Sequence, residues 1–371
     1  MFPRRQFVIS SAALPAGLIA PAAFASGANS ELTYAEAVAS TWRGAEGAAH
    51  ETPALLMQEL VRFATLAPSS HNTQCWRFRI EENKIAILPD LSRRCPAVDP
   101  DDHHLFVSLG CAAENLQQAA LAHGLMAEAS FDAADSDGVL NMALQPTKRV
   151  ESPLFEAIVH RQSTRSEFDG RALANEQLDL LERAGRGNGV RVQLLTDPQS
   201  RERVLEWVVQ ANTEQINDDA FVAELKSWIR FNDAEAVATG DGLFSRTTGN
   251  PTVPRWIGSP LFGFLYTPGN ENDKYTKQLR SSAGIAVFIS AASDKAHWLE
   301  VGRCFERFAL QATALGIRNA LVNQPVEVAR LRPQFAQSLG IGSERPDLIV
   351  RFGRAPAMPR SLRRPVAAVL V

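Results

Sequence analysis

Two short segments hold the side chains best suited to bind an anionic ligand. The first, Ala67-Pro68-Ser69-Ser70-His71-Asn72-Thr73-Gln74-Cys75-Trp76, crowds hydroxyls and amides between an apolar-periodic run and an alternating one. The second, His160-Arg161-Gln162-Ser163-Thr164-Arg165-Ser166-Glu167-Phe168-Asp169, alternates Arg161, Ser163 and Arg165. In an extended chain residues i, i+2 and i+4 share a side, so this spacing offers two guanidinium forks and a hydroxyl to one phosphate. Residue chemistry alone leaves each segment a second reading: a polar turn for the first, a solvated helix face for the second.

Other chemistries have less support. The sequence contains no G-x-G-x-x-G, no G-x-x-x-x-G-K-[ST], no G-x-S-x-G and no H-E-x-x-H. Gly185-Arg186-Gly187-Asn188-Gly189 has the wrong spacing for a phosphate loop and precedes a strand-like run, so it reads as a turn. His103 and His104 stand beside Asp99, Asp101 and Asp102, but neighbouring helical residues point about 100° apart and Asp102 is expected to cap the helix; no metal site is expected. Cys75, Cys95, Cys111 and Cys304 form no C-x-x-C pair. Disulfides in an oxidising compartment and buried free thiols both stay open.

The elements that must position the two segments show an internal echo. Asp102 to Leu125 and Asp294 to Ile317 both read as helices ended by a glycine, and at a shift of 192 they match at Asp102/Asp294, Gly110/Gly302, Glu114/Glu306, Ala120/Ala312, Ala122/Ala314 and Gly124/Gly316. At a shift of 120, Glu36-Ala37-Val38 answers Glu156-Ala157-Ile158, and Leu60 to Ala64 answers Leu180 to Ala184. The difference of 72 residues implies an insertion in the second copy between Ala184 and Asp294, rich in aromatics such as Phe231, Trp256, Phe262 and Tyr266. Trp76 to Ile80 and Lys84 to Leu88 alternate like a hairpin, and Val190 to Leu195, Ala283 to Ile289 and Leu348 to Phe352 read as strands. Each copy is therefore expected to be α+β, with an extended tail punctuated by Pro356, Pro359 and Pro365.

Length and composition agree with a globular protein large enough to bury a core without staples: 371 residues, 45% hydrophobic and 21% charged. The net charge is −3, and the only two bases among residues 1 to 25 are Arg4 and Arg5, so the remainder is more acidic still. A body of that charge lacks the broad basic footprint of a nucleic-acid binder, and no nucleic-acid partner is expected.

Both segments resemble those of the FMN-dependent nitroreductase superfamily, where an R-x-S-x-K/R segment and an A-P-S-S-x-N-x-Q-P-W loop bind one flavin. The tail Met358-Pro359-Arg360-Ser361-Leu362-Arg363-Arg364 is similar to that family's basic phosphate-binding C-terminal segment, and the pattern from about Leu55 to Val366 is most similar to the Acg-like branch. The resemblance implies an α+β nitroreductase-like fold with two tandem copies, residues 30–150 and 151–371, forming a single-chain pseudodimer with a lid-like insertion at about 200–280. In the family two subunits share each flavin, one giving the arginine segment and the other the serine loop. Here copy two supplies the first and copy one the second. Thr41 and Arg43 stand where Arg161 and Ser163 have their echo, and copy two has no Pro-Ser-Ser loop, which implies one intact FMN site and one degenerate site.

Carried over residue by residue, Arg161, Gln162, Ser163 and Arg165 hold the ribityl chain and phosphate, and Arg360 and Arg363 add charge. Pro68, Ser69, Ser70, Asn72 and Gln74 line the ring, and Asn323 and Gln324 lie in the stretch whose backbone amides face flavin N5. Cys75 replaces the usual proline. The implied activity is that of an FMN-dependent oxidoreductase passing hydride or electrons, ping-pong fashion, to a small-molecule substrate: a nitroaromatic, a quinone or a similar electrophile. Flavin chemistry needs few protein acids or bases, so no catalytic residue is assigned.

Met1 to Ala25 has a basic start, an apolar stretch from Phe7 to Phe24 and the small-x-small end Ala23-Phe24-Ala25, the layout of an export signal. Arg4-Arg5 resembles the twin-arginine type, implying a periplasmic protein handled by the twin-arginine export machinery, with no stable membrane span after cleavage. NAD(P)H is not freely available there. An exported flavin-binding or storage protein with a closed lid is therefore the alternative, and a small-molecule binder without flavin a third reading.

Overall fold

The computed structural model of this chain describes residues 32–45, 52–135 and 137–371, so the leader read at Met1 to Ala25 lies outside the described residues. Within them no helix is long and apolar enough to cross a membrane.

Side-chain caps start the first half. Thr33 and Thr52 accept hydrogen bonds from backbone N–H groups of α1 (Tyr34–Thr41) and α2 (Pro53–Thr65), and Pro53 sits in the first turn, where its missing N–H costs nothing. The alternating run then folds into β1 (Trp76–Glu81) and β2 (Lys84–Pro89), an antiparallel hairpin turning at Asn83 with φ 54°. Trp76 and Phe78 are buried while Arg77 and Arg79 face out, as a sheet with one wet face requires. After α3 (His103–Ala122), β3 (Leu125–Asp132) and β4 (Val139–Pro146) complete an antiparallel sheet of order β1-β2-β4-β3.

The second half repeats this order of elements. It runs α4 (Pro153–Ile158), α5 (Asn175–Ala184) and β5 (Val190–Leu195). Where β1 and β2 are joined by a tight turn, the chain after β5 makes a helical lobe: α6 (Pro198–Ile216), α7 (Asp219–Trp228), β6 (Ile229–Arg230), α8 (Asp233–Thr239), β7 (Leu243–Phe244), α9 (Arg255–Leu265) and α10 (Pro268–Arg280). It then resumes with β8 (Gly284–Ser290), α11 (Lys295–Ala314), β9 (Arg318–Leu321), the short α12 (Gln324–Glu327) and α13 (Arg332–Ser338), and β10 (Arg345–Gly353). The second sheet has the order β5-β8-β10-β9, again first, second, fourth, third. All of β8 is buried: Ala286 and Phe288 join the core that holds α11, while Ile285, Val287 and Ile289 join a second core with Val204 and Val208 of α6 and Phe335 of α13. Covering both faces is why this strand reads as a continuous apolar run.

The two halves meet where α3 crosses α11. A Cβ added to Gly110 would run into the Leu299 carbonyl and lie 3.0 Å from Gly302 Cα; one added to Gly302 would run into the Val107 carbonyl and lie 2.9 Å from Gly110 Cα. Only paired glycines allow so close an approach. At its end the chain returns to the first sheet: the Phe78 N–H donates to the Val369 carbonyl (2.8 Å) and the Val371 N–H to the Phe78 carbonyl (3.0 Å).

Two expectations are corrected or closed here. Asp102 does not cap α3; its own backbone is left-handed (φ 60°) and its carboxylate turns to Arg94, whereas Asp99 folds beneath the helix and accepts from the His104 and Leu105 N–H groups at 3.0 and 2.9 Å. The four cysteines are free and buried, so the disulfide reading does not hold.

Candidate functional site

A cavity of about 440 Å³ lies where the first half, the second half and the helical lobe converge. Its wall takes Pro68, Ser69, Ser70 and Asn72 from the loop after α2, Arg161, Gln162, Ser163 and Arg165 from the segment after α4, Asn323 and Gln324 from the β9–α12 corner, and Arg360 and Arg363 from the tail. The lobe adds an aromatic roof of Phe221, Phe231, Phe262, Tyr266 and Tyr275. The volume is within the range of roughly 300–1,000 Å³ common to small-molecule sites.

The serine loop is held in an unusual shape by its own amides. His71, Asn72 and Gln74 all have positive φ (48°, 54° and 53°), a conformation that needs outside support in non-glycine residues. Asn72 Nδ2 donates to the carbonyls of Gly242 (3.1 Å) and Leu362 (3.2 Å). Gln74 does not line the cavity. It is fully buried, donating from Nε2 to the Gly240 carbonyl and accepting at Oε1 from the Arg364 N–H, both at 2.8 Å. The two amides thus tie loop, lobe and tail together, leaving Ser69 and Ser70 at the wall; the expectation that Gln74 lines the ring is corrected on this ground.

The arginines divide by role. Arg363 is buried and donates to the carbonyls of Thr65 (2.9 Å), Leu66 and Ala67 (both 3.1 Å) at the end of α2, so its fork is occupied by protein. Arg161 is also buried, with Nη2 on the Leu66 carbonyl (2.9 Å) and Nε 3.0 Å from Glu306 Oε1. Gln162 clamps the tail through the Met358 backbone. Arg360 lies 4.4 Å from the Trp42 ring centroid, a cation–π stack with its own N–H groups largely uncommitted. The Arg165 guanidinium and the Ser163 hydroxyl make no hydrogen bond among the described residues. The expected gathering of four arginines at one phosphate is therefore reduced: Arg165 and Arg360 have donors to offer, while Arg161 and Arg363 mainly brace the wall.

Desolvation sets the protonation of this region. Burial, and then the Arg165 charge, hold the His71 imidazole neutral down to about 4, and His71 Nε2 is buried without a hydrogen-bond partner. Burial likewise raises Tyr275 to about 12, keeping its phenol protonated. Glu306 is fully buried, and although Arg161 Nε approaches it, the N–H is not aimed at either oxygen; burial raises its carboxyl from 4.5 to about 7. The folded protein therefore holds a proton on Glu306 that the unfolded chain has released. This group's contribution to stability is complete below about pH 4.5 and is lost as pH rises through about 7. Glu306→Gln is expected to flatten that fall, checked by denaturant midpoints from pH 5 to 8; an unchanged slope would contradict the assignment.

Each ring of the histidine pair has a partner elsewhere in the fold. His103 Nε2 sits 3.0 Å from Asp347 Oδ1, and His104 Nε2 lies 3.4 Å from Asn323 Nδ2, so both rings are engaged by the fold. Sequence reasoning missed Trp42, Phe221 and Tyr275. Trp42 reaches the site because its indole N–H donates to the Ser361 carbonyl (2.9 Å), a pairing between residues 319 apart that no local pattern signals.

No protein-family model matches the chain. Along most of its length it is similar to two Mycobacterium tuberculosis proteins: "Putative NAD(P)H nitroreductase Rv3131", 26% identical over 86% of this chain and 92% of the relative, and "Putative NAD(P)H nitroreductase acg", 23% identical over 85% and 95%. Among solved structures it is similar to the FMN-dependent nitroreductase NfnB of Mycobacterium smegmatis in complex with NADPH, 16% identical with a TM-score of 0.37, over 56% of this chain and 94% of that one. A nitroreductase with bound FMN from Bacteroides fragilis gives 13% identity and a TM-score of 0.35, over 57% and 96%.

Proposed function

We propose that this protein binds FMN in the cavity and acts as an oxidoreductase of the nitroreductase type on a small electrophile such as a nitroaromatic or quinone. The observation that carries the reading is the uncommitted Arg165 guanidinium in a cavity that Ser163 and the Ser69-Ser70 loop also line. A guanidinium withdrawn from water without a carboxylate partner calls for an anionic ligand. The mycobacterial relatives' names and near full-length similarity support the same reading.

The residues present fit a flavin nucleotide. Arg165, Arg360 and Ser163 would hold its phosphate and polar chain, with Arg161 fixed by its hydrogen bond to the Leu66 carbonyl, while Pro68, Ser69 and Ser70 would face the ring. When bound, FMN supplies hydride and electron transfer; the chain's own groups orient it, and the aromatic roof excludes water from the ring.

The tandem reading has structural support. α1/α4, α2/α5, α3/α11 and the two sheets correspond in order, and Gly110 with Gly302 marks the place where paired halves would cross. We read the chain as a single-chain pseudodimer with one intact site, with the lobe between β5 and β8 as its lid. In the degenerate half Arg43 is paired with Glu59 through two hydrogen bonds, at 3.1 and 2.6 Å, so it has little to give a ligand. Titration is expected to give one FMN per chain. Arg165→Met should weaken FMN binding about 10- to 100-fold, the loss of one or two charge-assisted hydrogen bonds, whereas Arg43→Met should leave the FMN affinity unchanged. Equal losses would refute the one-site reading.

A second reading, a flavin-holding protein with little turnover, is favoured by the roof that α7 and α9 place over the cavity. Anaerobic mixing with NADPH separates the two: bleaching near the visible flavin band supports the reductase, and an unchanged spectrum supports storage. Export by the twin-arginine route is proposed from Arg4-Arg5 and the following apolar stretch, and is tested by whether the leader carries a folded reporter to the periplasm.

A further inference from the structure

Helix α9 has the composition of a core helix and the position of a surface one. Its sequence, Arg255 to Leu265 (RWIGSPLFGFL), carries no charge after Arg255, and the next charged residue is Glu271. A helix that is apolar all round is normally buried on all sides. Yet Trp256 is 77% exposed, Phe264 85%, Leu265 60% and Leu261 46%. Leu261 and Leu265 also line the cavity, so one apolar surface runs from the outside of the lobe to the interior of the site.

We infer that the outer face of α9 docks on a lipid bilayer surface, with the cavity opening toward the lipid phase. Three observations favour lipid over a protein partner. Arg255, the one charge on α9, is already paired within the chain, with Glu235 (2.8 Å), and the next charge, Glu271, lies 3.9 Å from Lys274. The outward set consists of Trp, Phe and Leu, so apart from the Trp256 indole it offers no hydrogen-bonding group to fix a partner's register, where protein interfaces carry a polar rim. Trp256 in the first turn, 77% exposed, is an amphipathic aromatic suited to the headgroup boundary.

Docking in this way gives the site a substrate class: a lipophilic, ring-bearing electrophile that partitions into membranes and passes between Leu261 and Leu265. That step rests on the proposed oxidoreductase reading. The docking itself does not, since it concerns a surface rather than the flavin.

The test is flotation of the full chain with phosphatidylcholine–phosphatidylglycerol vesicles, comparing the natural sequence with Trp256→Gln/Phe264→Gln in the same chain, so that any binding by the leader is common to both. Because both side chains are exposed, the double variant is expected to keep its thermal midpoint and its FMN affinity. Vesicle partitioning should fall at least tenfold, and quenching of indole fluorescence by brominated lipid should be lost in Trp256→Phe. Equal partitioning of both proteins overturns the inference. So does concentration-dependent self-association without lipid that the double variant abolishes, which would make α9 an interface between copies of this chain. A colourless protein that still floats through Trp256 would refute the flavin reading alone.

Discussion

Alanine at Gly110 is expected to destabilise the protein by about 3 kcal/mol or more, the upper range for forcing an extra carbon into a packed interior, and alanine at Gly302 should cost a similar amount. The Cβ of either would meet not a flexible side chain but a backbone carbonyl of the opposite helix, Leu299 for one and Val107 for the other. The clash can be relieved only by moving α3 and α11 apart, which opens the core shared by both halves, including Phe305, Phe308 and Leu109. Thermal midpoints should drop by roughly 5 °C or more in each variant. Near-equal losses support the correspondence of the two helices. A large loss at one glycine and none at the other would remove its strongest physical argument.

Replacing Arg363 with methionine should have the second large effect, and on stability before binding. The guanidinium is withdrawn from water and burial, with Arg161 beside it, pulls its pKa down to about 9; what keeps it in place is donation to the carbonyls of Thr65, Leu66 and Ala67, where α2 has run out of its own N–H groups. Methionine fills similar space but leaves the buried Thr65 and Ala67 carbonyls without donors, with Leu66 keeping only Arg161 Nη2, at a cost of about 2–4 kcal/mol if the losses are partly additive. The tail also loses its anchor beside Trp42. Unfolding of the flavin-free protein is the deciding measurement: a large fall there, with a modest change in FMN affinity, marks a structural residue. The opposite pattern, stability kept and affinity lost by tenfold or more, would return Arg363 to the phosphate. Arg165→Met is the counterpart, expected to spare stability and weaken binding.

The contrast between these two arginines shows how much of the site was legible in the residues. Both belong to short basic motifs, and spacing treats them alike. Whether a guanidinium faces a ligand or the end of a helix depends on which carbonyls the fold leaves unpaired, and those lie about 300 positions away in the chain. Gln74 is similar: an amide in a polar loop reads as a ligand, but the lobe's Gly240 and the tail's Arg364 claim both ends of it. Cap assignment failed at Asp102 for a local reason, since a left-handed turn moved the capping role back to Asp99.

What the sequence by itself determined is periodic or repeated: the hairpin of β1 and β2, the buried run of β8, the glycine-ended helices α3 and α11, and their pairing at a shift of 192. These follow from side-chain alternation, helical spacing and backbone freedom, which act within a few residues or recur at a fixed distance. Tertiary structure alone decided that Gln74 is drawn out of the cavity to tie lobe and tail together, that Arg161 and Arg363 brace the wall while Arg165 stays uncommitted, and that α9 carries its apolar face into solvent. Each of these depends on groups distant in the chain competing for the same hydrogen bond or the same buried volume, and that competition is resolved only when the whole chain has packed.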